Sequence, residues 1–508
     1  MCTMIDLKQK GISMKLDKSS EPVNKFTFSD QDEAMTLAGF KLSDIFTVGV
    51  CLVLGLAIFN QIGGLVGFAF FIIFTIIGFG LAYITLKDRK LLAWIQIFLQ
   101  WTFNRKLSDK SDVGLRAIEG SIVDLNVSES DRPVRSGLNK ADFNIKILKH
   151  VKICSTKRNI GVVVDRQNKK MIALMKISKG QFGLLDGNQR DGLVNNWTVV
   201  LNSLNSITDK ISSIQIITHT CEYDLSEYKI SLNENDLETS LKERYHAAHN
   251  YNKFLDFNSS GHFKHNSYIA LSVSERKATF LKNSQIDELL EEVENEAINL
   301  GKILKANGFN VYGLCTKNAI ENLFKNLIFD DPKNNSMKNI YELSIKSEWD
   351  HLKINSKFQS VYWISSWPKY EVLSDFMSPL TLNCDFSKVL SLTVCPVDFE
   401  AARREAESKL VSYVSDDELR KRAGFLNTAT RQHGKSKSEL LNYEIANGFE
   451  TFKYSGYLSV VADSLADLKR KETALELAAT KCNLNVRKLY GQQDLALGYI
   501  LPLCRGVK

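Results

Sequence analysis

One segment of the chain approaches the spacing of a phosphate-binding loop. Ala429-Thr-Arg-Gln-His-Gly-Lys-Ser436 follows the pattern in which backbone amides and a lysine hold nucleotide phosphates, except that Ala429 replaces the first glycine. Such a loop joins an apolar strand to a helix, because that turn makes the amides converge on the phosphate. Residues 420–427 do not have the pattern of an apolar strand. We therefore expect no ATP-binding site here.

Basic side chains cluster in the same region with no acidic residue between them. They are Arg420, Lys421, Arg422, Arg431, Lys435 and Lys437. A run of this kind suits contact with DNA phosphates or with an acidic partner. A solvated loop between strands is the preferred interpretation, so the segment is at most a weak candidate for a nucleic-acid or partner contact.

Histidines are the other local concentration of reactive side chains. His246-Ala-Ala-His249 and His262-Phe-Lys-His265 hold four of the chain's eight histidines. A metal site normally adds cysteine or carboxylate ligands in a defined geometry, and no HExxH pattern is present. A polar, partly exposed segment is the preferred interpretation.

The patterns of common catalytic sites are missing from the sequence. There is no GxSxG nucleophile elbow and no GxGxxG dinucleotide loop, while Cys395 precedes Pro396 at the end of a predicted strand, a common packing position. We expect no catalytic residue, cofactor site or metal ligand, and a protein that is not an enzyme. A membrane-tethered enzyme with a degenerate nucleotide or metal site is the rival hypothesis.

Composition narrows the class of protein. The chain has 508 residues, 44% of them hydrophobic and 24% charged, so it can bury sizeable cores and is neither collagenous nor mostly disordered. Its nine cysteines are dispersed without any CxxC, which disfavours a secreted disulfide scaffold and a zinc ribbon. A net charge of +7 is too small for a chain of this size to indicate nucleic-acid binding.

The clearest element is an uncharged stretch from Ile45 to Leu86. As one helix it would be about 60 Å long, twice the roughly 30 Å hydrocarbon core of a bilayer. We therefore predict two spans, Ile45–Asn60 and Leu65–Leu86, with a tight turn between them. Basic residues exceed acidic ones after the second span, which places both termini in the cytoplasm under the positive-inside rule. The predicted location is a membrane that the chain crosses twice, and no cleaved signal peptide is expected.

The next segment, Leu91–Phe103, is apolar but too short to span a membrane. Gln96 and Gln100 share one helical face, as expected of a helix lying in the membrane interface. The predicted interface anchors are Trp94, Trp101, Arg89, Lys90, Arg105 and Lys106. An ordinary core helix of the following domain is the alternative.

The remainder alternates short strand-like runs with amphipathic helices and predicts an α+β fold. The predicted strands are Val162–Asp165, Met171–Ile177, Ile214–Thr218, Tyr268–Val273, Phe309–Leu314, Ser360–Ser365, Val389–Val394, Tyr457–Ala462 and Leu484–Leu489. Helices are predicted at Leu193–Ile207, Ile286–Leu304, Phe399–Val414 and after Ser464, which begins a capping box. Strand–helix–strand units suggest ferredoxin-like subdomains.

Four regions follow from these patterns. Residues 1–41 form a polar cytoplasmic tail, and residues 42–106 form the membrane hairpin and interfacial helix. Residues 107–335 and 336–508 form two cytoplasmic α+β domains with ferredoxin-like units, because the polar stretch 330–338 is the best candidate for a boundary.

Several motifs in this order resemble one family. They are Glu348-Trp-Asp350, Ser360-Val-Tyr-Trp-Ile-Ser-Ser-Trp-Pro368, Phe376-Met-Ser-Pro-Leu380, Gly491-Gln-Gln-Asp494 and Leu501-Pro-Leu503. Together with the hairpin, they resemble the integral membrane component of actinobacterial integrative conjugative elements, which is related to type IV secretion. The last part is also similar to the N-terminal domain of conjugation ATPases, without the motor domain.

That resemblance implies a non-enzymatic inner-membrane subunit that docks a separate motor ATPase within a hetero-oligomeric secretion apparatus. DNA would be an indirect partner, and no functional residue of the family transfers to this sequence as a site. The second resemblance, in architecture more than in motifs, is to EccE, a membrane component of type VII (ESX) secretion. A membrane-tethered DNA-binding subunit is the third hypothesis.

Overall fold

The computed structural model describes residues 36–37, 40–87, 89–116, 148, 150–178, 185–207, 211–222, 249–251, 253–254, 263–274, 283–329, 345–368, 370–382, 385–422, 424, 429–448 and 450–507. Within these residues the protein has an N-terminal pair of apolar helices and a large antiparallel sheet covered by helices. The predicted α/β character and the apolar hairpin are thus confirmed.

Two helices, α1 (Leu42–Ile62) and α2 (Gly64–Tyr83), are long and apolar enough to cross a membrane. They are joined at Gly63 and Gly64, whose φ angles of 63° and 62° lie in the left-handed region that favours glycine. Helix α2 ends three residues earlier than the sequence predicts, because Thr85–Leu86 (β3) turns back and pairs with Arg89–Lys90 (β4). A second short pair, β1 (Thr36–Leu37) and β2 (Phe40–Lys41), precedes α1.

Small residues allow α1 and α2 to approach closely. A Cβ atom added at Gly78 would lie 2.7 Å from the Cβ atom of Cys51, and Cβ atoms at Gly55 and Gly67 would lie 3.2 Å and 3.3 Å from phenylalanines of the opposite helix. Helices in lipid associate through such small contact positions. The outward faces of both helices are apolar and exposed.

Among the described residues the sheet contains twelve strands, and every pairing between them is antiparallel. The strands are β5 (Val151–Ser155), β6 (Gly161–Asp165), β7 (Lys170–Ile177), β8 (Ile211–Glu222), β9 (Phe263–Ser274), β10 (Val311–Leu314), β11 (Ile345–Ser347), β12 (Leu352–Ile354), β13 (Lys357–Ser366), β14 (Lys388–Pro396), β15 (Phe452–Ala462) and β16 (Asn485–Lys488). Their order is β11-β12-β13-β15-β14-β8-β9-β7-β6-β5, and β10 and β16 pair with β7 and β13.

The remaining helices are α3 (Leu91–Arg116), α4 (Gly187–Ile207), α5 (Asn283–Ala306), α6 (Lys317–Phe329), α7 (Ser378–Thr381), α8 (Phe399–Arg422), α9 (Ala429–Ala446), α10 (Leu465–Lys481) and α11 (Gln493–Ile500). One face of the sheet is covered by α6, α11 and the C-terminal segment, which share a single continuous core. The other face carries two separate cores, one under α4 and α5 and one under α7 and α10. The protein is therefore layered as helix, sheet, helix.

The boundary predicted at 335/336 lies outside the described residues. Strands on either side of it belong to one sheet, because β8 and β14 pair from Thr220 with Lys388 to Ile214 with Val394. Ser464, predicted to begin a capping box, is the N-cap of α10, since its hydroxyl accepts a hydrogen bond from the backbone N–H of Asp467 at 3.1 Å.

Candidate membrane-proximal docking site

Helix α3 begins at the point where the apolar hairpin of α1 and α2 ends. The backbone N–H of Leu91 donates to the carbonyl of Ile84 at 3.0 Å, so the first turn of α3 is bonded directly to the end of α2. Lys90, next to α3, forms an ion pair with Asp44 in the first turn of α1. The start of α1, the end of α2 and the start of α3 therefore lie together.

One face of α3 packs on the sheet region through aromatic rings. Trp349 lies between α3 and the sheet, with ring centroids 6.0 Å from Trp94, 6.1 Å from Phe98 and 5.4 Å from Trp101. Tyr490 completes the group, 5.7 Å from Trp94 and 6.4 Å from Trp349. We call these five residues the aromatic cluster. Contacts of this geometry stabilise packing beyond the area they bury.

Two turns of the sheet region present Trp349 and Tyr490 together. Trp349 lies in the turn between β11 and β12, and Tyr490 follows β16. The N–H of Gly491 donates to the carbonyl of Trp349 at 2.7 Å, which ties the two turns to each other. Gly491 has a φ of 67°, and a Cβ there would lie 2.6 Å from the Trp349 ring. Only glycine fits this position without strain or displacement of the ring.

Basic side chains edge the aromatic cluster on the hairpin side. The Nζ of Lys87 donates to the hydroxyl of Tyr490 at 2.8 Å and lies 4.3 Å from its ring centroid, as in a cation–π contact. The guanidinium of Arg89 lies 5.9 Å from the Trp94 ring. Burial, and to a lesser extent the neighbouring charge of Arg487, lower the pKa of Arg89.

Behind the cluster, Lys488 connects the Trp349 turn to α10. Its Nζ lies 2.6 Å from Glu472 and 3.7 Å from Asp350. Burial alone would raise the pKa of Asp350, but its hydrogen bond with His351 and the charge of Lys488 outweigh burial and hold the pKa below the usual value. The turn that carries Trp349 is thus fixed by ionic contacts.

The structure places the predicted interface anchors on different faces. Trp94 and Trp101 point to the sheet region, and Ile97 between them is 6% exposed. The side chains of Arg105 and Lys106 lie outside the described residues. Gln96 and Gln100 are exposed and share one face, as predicted. Helix α3 therefore has the sheet contact of a core helix and an outer face that the sheet does not cover.

The segment that approached a phosphate-loop pattern lies inside a helix. Ala429–Ser436 forms the first turns of α9, and the Nζ of Lys435 lies 3.2 Å from Asp417 of α8. Its backbone does not have the geometry of a phosphate loop. Among the other basic candidates, Lys421 and Arg422 are exposed at the end of α8. The side chains of Arg420 and Arg431 lie outside the described residues.

Among the described residues, no group of three His, Cys, Asp or Glu side chains is placed to hold a metal ion. His246 and His262 lie outside the described residues. The Nδ1 atom of His265 is 2.9 Å from the hydroxyl of Thr220, across the pairing of β8 with β9. Burial raises the pKa of the Cys395 thiol, so this cysteine is less ionised than a free one.

A second feature, not predicted from the sequence, is the C-terminal segment 501–507, which crosses the junction of β8 and β14. The buried Gln215 side chain donates to the carbonyls of Tyr499 at 3.0 Å and Leu501 at 2.9 Å, and accepts from the N–H of Cys504 at 2.8 Å. Arg505 then forms an ion pair with the fully buried Asp165 at 2.6 Å. A lone glutamine in an apolar strand was the available signal, since a buried amide requires partners.

Compared with protein-family models and with curated proteins, the chain matches no family and no relative. The geometry described above is therefore the basis for assigning a function.

Proposed function

We propose that this protein is a non-enzymatic scaffold subunit of a conjugative, type IV-like secretion apparatus in a bacterial plasma membrane. The hairpin anchors it, and the sheet region docks a separate motor ATPase and other subunits. The observation that supports this most directly is the aromatic cluster, because it fixes a large sheet against the end of a membrane hairpin. A rigid connection of this kind suits a structural subunit that holds its partners in position rather than an enzyme.

The motifs that carry the family resemblance support the proposal by their location. Trp349 and Gly491 come from two separate motifs and meet at the docking site. A third motif contributes Val361, whose backbone N–H donates to the buried side chain of Gln493 at 2.8 Å and whose carbonyl accepts from it at 3.2 Å. Residues far apart in the sequence thus converge on one corner of the sheet.

The membrane topology belongs to the same proposal. Asp44 and Lys90 bring the two outer ends of the hairpin to one side, so both ends enter the membrane from the same compartment. The excess of basic residues after α2 makes that compartment the cytoplasm. Both termini and the whole sheet region are then cytoplasmic.

The ferredoxin-like comparison is also part of the proposal. Strands β9 and β10 flank β7 and are connected through α5, and β15 and β16 flank β13 and are connected through α10. Such split strand–helix–strand units are a feature of ferredoxin-like folds.

The test is a detergent pull-down of the full-length protein from its native host, read by mass spectrometry. Recovery of a conjugation-type ATPase and coupling protein is the expected result. Recovery of ESX components instead would overturn the conjugation assignment in favour of an EccE-like role, and recovery of the protein alone would overturn the scaffold proposal. Trp349→Ala is expected to reduce partner recovery, whereas Trp197→Ala, in the core under α4, serves as the matched control.

A further inference from the structure

The outer face of α3 carries a continuous apolar stripe. Ile95, Leu99 and Phe103 recur at four-residue spacing and are 43%, 49% and 65% exposed. At this spacing they project from one side of the helix, opposite the face that holds Trp94 and Trp101. Three large apolar side chains left uncovered on one helix face indicate that something other than the sheet covers them.

The position of α3 identifies that covering surface. The helix is bonded at its first residue to the end of α2, so it cannot move away from the membrane boundary that α2 reaches. The outward faces of α1 and α2 are apolar as well, and Lys87 and Arg89 lie beside the start of α3. Apolar side chains flanked by cations at a membrane boundary match the interface between acyl chains and anionic headgroups.

We infer that the stripe of Ile95, Leu99 and Phe103 inserts into the lipid interface, with α3 held between the bilayer and the aromatic cluster. This inference rests on the proposed membrane anchoring. It reassigns the membrane contact within α3, from the two tryptophans to the aliphatic and phenylalanine side chains of the opposite face. A second copy of the chain or a protein partner on the stripe is the competing outcome.

The experiment places a photoreactive benzoylphenylalanine in the full-length protein, reconstituted in vesicles of phosphatidylethanolamine and phosphatidylglycerol. Adducts after illumination are identified by mass spectrometry. Leu99 and Phe103 are the test positions, and Ile76, 66% exposed in α2, is the positive control. Val199, 54% exposed on α4, is the negative control.

Phospholipid adducts at Leu99 and Phe103, with none at Val199, are the expected result. Lipid adducts at Ile76 without any at the test positions would overturn the inference, and so would protein adducts at the test positions. Failure at Ile76 itself would overturn the membrane anchoring and the inference that rests on it, so the two failures are distinguishable.

A second, independent observation concerns the sheet. Its first half reads β8-β9-β7-β6-β5 with β10 beside β7, and its second half reads β14-β15-β13-β12-β11 with β16 beside β13. Each strand of the first half has a counterpart six strands later, in the same sequence order and the same place. Helices α5 and α10 precede β10 and β16, and α6 and α11 follow them.

The correspondence extends to single residues. Val311 pairs with Ile177 in the first half, and the same residue types pair in the second half, Val486 with Ile364. Strand β9 begins Phe-Lys-x-x-x-Tyr at residues 263–268, and its counterpart β15 begins with the same pattern at residues 452–457. If the two halves were unrelated, they would have to agree in strand order, in pairing register and in residue type by chance.

The ends of the counterpart helices α5 and α10 agree as well. The N–H of Phe309 donates to the carbonyl of Leu304 at 3.0 Å, and that of Leu484 donates to Ala479 at 3.0 Å. The residue before each donor, glycine in the first half and asparagine in the second, has a left-handed φ, of 83° and 56°. Both helices thus end in the same capping motif, immediately before a counterpart strand.

The two halves meet at counterpart strands. Ile217 pairs with Tyr268 and Ser391 pairs with Tyr457, so Ile217 and Ser391 occupy equivalent positions. These two residues also pair with each other where β8 meets β14. An approximate twofold axis therefore passes between them, perpendicular to the sheet.

We propose that the sheet is an internal duplication, with residues 148–329 and 345–500 forming two copies of one unit. The copies have diverged at the turn between their first two strands. In the second copy this turn holds Trp349 and packs on α3. In the first copy it holds Lys157 and Arg158, which form ion pairs with Glu291 and Glu294 of α5. The membrane dock is thus a specialisation of one copy.

Cross-strand cysteines in the full-length protein test the equivalence. Val311→Cys with Ile177→Cys, and Val486→Cys with Ile364→Cys, are each expected to form a disulfide on mild oxidation, because directly paired residues have Cβ atoms about 5 Å apart. The mixed pair, Val311→Cys with Ile364→Cys, is the matched control and is expected to form none. Formation of only one of the two equivalent disulfides, or of the mixed one, would overturn the duplication.

Discussion

Trp94 and Trp349 provide a quantitative test of the contact that joins α3 to the sheet region. Trp349 is partly buried and has four aromatic neighbours in the cluster. Replacing a fully buried tryptophan by alanine lowers the free energy of unfolding by about 3–5 kcal/mol. For the partly buried Trp349 we expect about 2–4 kcal/mol. The Trp94–Trp349 pair itself is expected to contribute about 1 kcal/mol of this.

A double-mutant cycle isolates that pair term. Trp94→Ala, Trp349→Ala and the double variant are compared by urea unfolding of the full-length protein in lipid nanodiscs, followed by far-UV circular dichroism. The double variant should be less destabilised than the sum of the single variants, because the second change no longer removes a contact. The expected coupling is about 1 kcal/mol.

The control pairs Trp94→Ala with Trp197→Ala. Trp197 lies on α4 and packs edge-to-face on Phe309, with ring centroids 5.7 Å apart. This pair belongs to the core under α4 and α5, which does not include the aromatic cluster. Those two changes should be additive within about 0.5 kcal/mol. If the Trp94–Trp349 cycle were equally additive, α3 would not rest on the sheet through this pair, and the docking argument would fail.

Three further predictions follow from the same geometry. Gly491→Ala is expected to lower the free energy of unfolding by the roughly 1–2 kcal/mol that a left-handed alanine costs, and further because the new Cβ displaces the Trp349 ring. Gly424→Ala is the control, because Gly424 is also left-handed but has open space around it. Measured by urea unfolding, this control should show only the cost of the left-handed alanine. Gln215→Leu leaves the buried N–H of Cys504 without its partner and removes one hydrogen bond from each of the carbonyls of Tyr499 and Leu501, which keep bonds from Ser391 and Leu503. The change should lower the free energy of unfolding by about 1–3 kcal/mol. An unchanged free energy would mean that the C-terminal segment is held elsewhere. The pKa of Asp350 in the folded protein lies below its unfolded value of about 3.9. Wild type should therefore be more stable than Asp350→Asn by its full margin above about pH 3.9, and this margin should disappear as the pH falls through the folded pKa. A difference in urea midpoints that does not change with pH would contradict the prediction.

The sequence predicts the hairpin and most long elements, because their patterns are local. The uncharged stretch, the 3.6-residue period of α5 and the alternating strands β8, β9, β14 and β15 can each be recognised within one segment. Helix α6 and strand β5 escaped prediction although both are well buried. Strand β5 lacks the continuous apolar run of β6, because Lys152 interrupts it. Helix α6 could have been predicted locally, since Ile320, Leu323, Phe324 and Leu327 have helical spacing and are all buried.

The docking site was only half predictable. Trp94 and Trp101 could be identified by spacing, but nothing local indicates that they face Trp349, which lies 255 residues further along than Trp94. An amphipathic helix with tryptophans satisfies the requirements of a membrane interface and of a protein core equally well. Only the contact with the Trp349 ring distinguishes a core helix from an interfacial one, and Trp349 is far from α3 in the sequence.

The sequence predicts two subdomains with similar strand–helix–strand units, but it does not indicate that they are copies of one unit within a single sheet. Counterpart residues keep their type mainly where the backbone demands it, at the paired Val–Ile positions and at the left-handed ends of α5 and α10. Elsewhere each copy packs against different elements, and the connection between β14 and β15 holds α8 and α9. Packing positions tolerate hydrophobic exchange as long as volume is kept, so sequence similarity fades while register remains.

The divergence of the two copies explains how a pseudo-symmetric sheet can be held on one side only. A twofold arrangement presents two equivalent corners, and an equal attraction of both to the bilayer would leave the orientation undefined. The aromatic cluster exists at the corner of the second copy alone, while the corresponding turn of the first copy is engaged with the acidic helix α5 through Lys157 and Arg158. Introducing an aromatic residue at the first corner should therefore not create a second dock, because α3, bonded to the hairpin at Ile84, already packs on Trp349 at the corner of the second copy. The tether, together with the chemistry of the corner, selects the side of the sheet that faces the apolar hairpin.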